Sequence, residues 1–98
     1  MPVLAVLALG LSACGGPSIE DFRQDDPDGN TACIHFVSGY TDDGAAGRTN
    51  LVKAADHGSR STTDAIRNAV STDEAGTHSI IDKESFKKAC NAQGMKIK

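Results

Sequence analysis

Apolar and polar positions divide this chain into three textures. Residues 3–11 form an almost unbroken apolar run, and residues 15–30 are rich in Gly, Pro and acid, with Ile19 and Phe22 as the only bulky apolar side chains. From Thr31 onward apolar residues recur at helical spacing. Cys33, Phe36, Val37 and Tyr40 fall at i, i+3, i+4 and i+7, which predicts a first helix over residues 31–40, capped by Asn30 or Thr31 and ended by Gly39 or the Asp42-Asp43-Gly44 turn. A second is predicted over residues 45–57, with Leu51, Val52, Ala54 and Ala55 as its apolar side and Gly58 as its stop. A third follows Ser61-Thr62-Thr63-Asp64, a start of the capping-box type, with Ile66, Ala69 and Val70 on one face. Residues 72–81 read as a loop or a brief extended segment, and no stretch shows the alternation of a strand. The last helix is predicted over residues 83–93, with Asp82 as cap and Phe86, Ala89, Cys90 and Gln93 as a stripe. Ile81 and Phe86 would form a hydrophobic staple at its start, and Gly94 would stop it with Met95 folding back.

The first apolar run is too short to span a bilayer, which takes about 20 helical residues, but it has the length of a secretory h-region. It ends in Leu11-Ser12-Ala13-Cys14, followed by Gly15-Gly16-Pro17. This resembles the signal of bacterial lipoproteins, although only Met1-Pro2 precede the run where such signals carry Lys or Arg. The resemblance implies cleavage before Cys14, a lipid on its sulfur, and attachment to the extracytoplasmic face of the cell membrane. The alternative is a buried apolar helix ending in an ordinary cysteine; the Gly-Gly-Pro and acidic stretch that follow favour a tether. Residues 1–13 would then be a signal peptide, 14–30 a lipidated cysteine with a flexible acidic tether, and 31–98 one small helical domain.

Export implied by this resemblance would place Cys33 and Cys90 in an oxidising compartment and pair them. Such a bond, enclosing most of the domain, is worth about 4 kcal/mol on the chain-entropy estimate, a large share for a chain with few large apolar residues. Free thiols or a metal pair are the alternative, and no CxxC or Cys/His cluster accompanies them. The expected fold is all-α: three to four short helices, the first and last joined through Cys33 and Cys90. Over roughly residues 31–95 the body also resembles small exported actinobacterial helical proteins of unknown function, on its early Cys and on Ala89-Cys90-Asn91-Ala92-Gln93-Gly94. That likeness implies no activity.

The net charge of −3 is uneven, with acids crowding residues 20–28 and lysines the C-terminal end. A mildly acidic, exported chain makes nucleic acid a poor partner. His35, His57 and His78 are the candidate metal or proton-transfer groups, yet no two share a helical turn. Asp26-Pro27-Asp28-Gly29-Asn30 has the oxygens of a calcium loop, but its glycine comes one place early and Val37 stands where a closing Glu belongs, so a turn and helix cap is the better reading. No Gly-x-Ser-x-Gly elbow, phosphate loop or cofactor motif is present, and no catalytic residue is nominated. The leading expectation is a lipid-anchored interaction or envelope accessory module with an envelope protein as partner, showing an exposed apolar or charged groove. The alternative is a small-ligand or metal-binding lipoprotein, which requires at least two of the histidines to converge.

Overall fold

A computed structural model describes residues 18–98; the signal segment and Cys14 lie outside the described residues. The order is α1 (Ile19–Asp25), α2 (Pro27–Tyr40), α3 (Ala45–Ser59), α4 (Asp64–Arg67), β1 (Val70–Thr72), β2 (His78–Ile80) and α5 (Lys83–Ala92). The fold is mostly helical, with a small antiparallel hairpin that the all-α expectation did not include.

Residues 19–30, expected to be tether, are instead helical. Ser18 Oγ caps α1 by accepting from the Asp21 N–H at 3.1 Å, and Phe22 is buried with Ile19 packed beside it. Two apolar residues three apart suffice because the rest of the domain supplies the surface they bury against, which a local composition argument omits. Pro27 then sets the boundary. It disfavours helical backbone at the residue before it, so Asp26 breaks out at φ −140° and ψ 71°, ending α1 and capping α2. Asp26 is therefore a helix cap, but residues 27–30 form the first turn of α2 rather than a turn before it, so the cap lies at Asp26 and not at Asn30 or Thr31. The domain boundary moves from residue 31 back to α1.

Asp26 is only 3% exposed, and its carboxylate gathers five donors: the N–H groups of Gly29 (2.9 Å), Thr62 (3.0 Å) and Thr63 (3.2 Å), and the hydroxyls of Ser61 (2.6 Å) and Thr63 (2.6 Å). It fastens the start of α2 to the loop after α3. The expected capping box does not form because the helix starts two residues later than Ser61 would cap it: Ser61 donates its hydroxyl to Asp26 and accepts from the Thr63 N–H at 3.0 Å, while Thr63 is the N-cap of α4 and makes no side-chain cap bond. The third helix shrinks to four residues, and Val70 passes into β1.

Around this clasp the core gathers Phe22, Phe36, Ile66, Phe86, the buried alanines and the cystine. Phe36 and Phe86 rings lie 4.8 Å apart and tilted, an arrangement aromatic pairs favour. The expected Cys33–Cys90 disulfide is present, joining α2 to α5 across Cα atoms 5.8 Å apart, both residues fully buried. Helix α5 ends as expected: Gly94 adopts φ 110°, its N–H bonds the Asn91 carbonyl, and the Met95 N–H bonds that of Cys90. The hydrophobic staple fails, since Phe86 is buried but Ile81 is 63% exposed. Gly58 also does not stop its helix; it lies inside α3.

Helices α2 and α3 approach closely through glycines. A Cβ on Gly47 would sit 1.7 Å from the Asp42 carbonyl oxygen, a backbone atom that cannot swing aside. Gly47→Ala is expected to cost about 2–3 kcal/mol through this overpacking, measured by urea unfolding. A loss under about 0.5 kcal/mol, the scatter of ordinary surface substitutions, would show the α2–α3 turn to be adjustable.

Candidate functional site

The hairpin arises from its turn. Asp73 Oδ1 accepts the N–H groups of Ala75 and Thr77, both at 2.9 Å, and Gly76 takes the left-handed conformation at φ 85°. An Asp followed three residues on by Gly, between short runs containing Val and Ile, was the available signal for a hairpin. The pairs are Val70 with Ile80, Ser71 with Ser79 and Thr72 with His78. His78 and Ile80 are half-buried on the side facing α3, and Ser79 points out.

Between α3 and β2 runs an open groove. One hollow of about 320 Å³ is lined by Val52, Lys53, Asp56, Gly76, Thr77 and His78. It adjoins a second of about 190 Å³, lined by Leu51, Val52, His78, Ser79, Ile80 and Lys83. Val52 is 63% exposed, so an apolar surface is left uncovered here. Asp56 is engaged: it pairs with Arg60 at 3.1 Å and lies 4.0 Å from His78 Nε2, and its hydrogen bond is the main cause pushing the Arg60 pKa up. No family model, curated protein or solved structure matches the chain. The groove's role therefore rests on its own chemistry.

Two of the three histidines converge, away from this groove. The His35 and His57 rings stack with centroids 5.8 Å apart and planes 15° from parallel. His35 Nδ1 lies 2.9 Å from Asn50 Oδ1. His57 Nδ1 lies 3.0 Å from Asp28 Oδ1 and 3.1 Å from an Arg60 nitrogen, so it donates to the carboxylate or accepts from the guanidinium according to its tautomer. His78 stands apart on β2, its Nδ1 2.7 Å from Thr72 Oγ1. Fixing Nδ1 is how metal-binding histidines are oriented, but imidazole lone pairs lie in the ring plane, and nearly parallel planes do not aim at one ion. Among the described residues no group of three or more His, Cys, Asp or Glu is placed to hold a metal. Zinc is accordingly expected to leave Tm unchanged in a thermal scan; a rise that His57→Ala abolishes would instead establish a site at the pair.

Proposed function

We propose that this chain is a small lipid-anchored protein of the extracytoplasmic membrane face that acts as a protein-interaction module. The observation that carries the reading is the open groove between α3 and β2, whose apolar floor is left uncovered beside a core closed by a disulfide. The groove's small apolar floor, flanked by Lys53 and Lys83, offers a concave seat for one side chain of a partner. The buried cystine supports an oxidising compartment, where a bond of this kind persists, and Cys14, by its lipoprotein-like setting, supplies the attachment to the membrane.

Two measurements test it. The intact mass of the protein from bacterial membranes is expected to equal residues 14–98 plus acyl chains, with two thiols alkylated only after reduction. A photo-crosslinker at position 52 is expected to trap one defined protein in those membranes. A full-length, unlipidated mass would remove the anchor, and a crosslinker that traps nothing would remove the interaction.

A further inference from the structure

The hydrogen-bond pattern of the hairpin determines which edge of β2 is free. The Ile81 N–H donates to the Ala69 carbonyl at 2.9 Å and the Asp73 N–H to that of Thr77 at 3.0 Å. In an antiparallel ladder these bonds alternate, so Ser71 and Ser79 face each other as the bonded pair. His78 and Ile80 then turn their N–H and C=O groups away from β1. Among the described residues neither backbone has a partner on that side. The smaller hollow of the groove opens at the same edge, for it is lined by all three residues of β2 and by none of β1.

We propose that β2 is a docking strand for an extended acidic and apolar segment of a partner protein, which adds to the hairpin as a third strand. This rests on the interaction-module reading and names the partner's chemistry. Unpaired strand edges are ready templates for such addition. In the added strand, successive side chains alternate between faces. The side chain turned toward α3 enters the hollow of about 190 Å³ among Leu51, Val52 and Ile80, which takes a single Val-, Leu- or Phe-sized group. The side chains two places to either side of it, on the same face, meet Lys53 and Lys83, neither of which is within salt-bridge distance of an acid among the described residues. Asp56, the acid of the groove, is already paired with Arg60. Charge also decides against a second copy as occupant. Pairing β2 with its own twin would gather the lysines of both copies at one joint, whereas an acidic strand neutralises them.

The test uses the full chain, disulfide intact and solubilised in detergent, with a capped pentapeptide, Glu-Ser-Val-Ser-Glu, whose Val and two Glu share one face. Amide exchange at His78 and Ile80 is expected to slow by about tenfold when the peptide is added, with the other hairpin amides little changed. A peptide with Lys in place of Glu is expected to give no protection. The Lys53→Glu/Lys83→Glu variant, whose changes are on the surface, should exchange this preference and select the Lys peptide. Equal protection by both peptides, protection elsewhere, or none overturns the proposal. Protection that grows with protein concentration and needs no peptide assigns the edge to a second copy and overturns it too. A defined partner trapped from position 52 together with an unprotected β2 would leave the interaction module standing and remove strand addition alone.

Discussion

Asp26→Ala is expected to destabilise the domain by about 3 kcal/mol, lowering Tm by roughly 15 °C, because it orphans the N–H groups of Gly29 and Thr62 and releases the Ser61 and Thr63 hydroxyls, the Thr63 N–H keeping only Ser61 Oγ. The loss exceeds that of an ordinary helix cap, typically about 1 kcal/mol, since this one side chain also holds the loop after α3. Asp26→Asn keeps the shape and one acceptor oxygen but turns an amide toward the Thr63 N–H, so an intermediate loss is expected. Burial alone would raise the Asp26 pKa. The hydrogen bonds from Ser61, Thr63, Thr62 and Gly29 together outweigh it and hold the pKa below the ordinary value of 3.8. Because the folded pKa is depressed, this contribution is fully present above the unfolded value. It is lost as pH falls from there through the folded pKa. Urea unfolding of the native chain and of Asp26→Asn should therefore differ most above about pH 4 and converge in stronger acid. A difference that does not change with pH would mean that the charge of Asp26 contributes nothing beyond its shape.

The second large effect belongs to the cystine. Replacing both Cys33 and Cys90 with Ala is expected to cost about 4 kcal/mol, the chain-entropy estimate for a loop of 57 residues. Against a total of about 5–15 kcal/mol for a domain, this leaves a marginal fold. Reducing the native chain in mild urea should reproduce the same loss, read from the shift in unfolding midpoint. A change below about 1 kcal/mol would mean that packing alone holds α5, or that the reduced unfolded chain keeps the two segments close.

How much of this was legible in the sequence depended on how local the cause was. Of the predicted stripe, Cys33 and Phe36 are buried and Tyr40 packs on the core, whereas Val37 is exposed; the cap at Asp82 and the stop at Gly94 act within a few residues and are where capping chemistry put them. Helix α1 was missed because Phe22 is buried in the core shared with α2 and the rest of the domain, which its own acidic neighbours do not reveal. Ser61 was misread for a related reason. Its spacing to Asp64 suits a capping box, but Asp26, 35 residues away, holds Ser61 through Thr63 as a loop that α4 only follows, with Thr63 as its N-cap. Within the groove, Leu51 and Val52 were recognised as apolar helix residues, but the strand beside them was read only as a loop or a brief extended segment, with no pairing partner, because Val70 was assigned to a helix. The histidines' stacking was equally hidden, since it depends on the crossing of α2 and α3.

The position of the cystine has a mechanical consequence. A pull entering at Ser18, on the side of the proposed lipid attachment, and resisted at Lys98 runs into Cys33, crosses the sulfur bridge and leaves through Cys90. Everything enclosed by the bridge, including the hairpin and its groove, is bypassed by the load path. Only the segments outside Cys33 and Cys90 can lengthen, by at most about 3.5 Å per residue. Under tension α1 and the Asp26 clasp would therefore yield first, paying out slack like a fuse, while the docking edge stays folded behind a covalent short circuit.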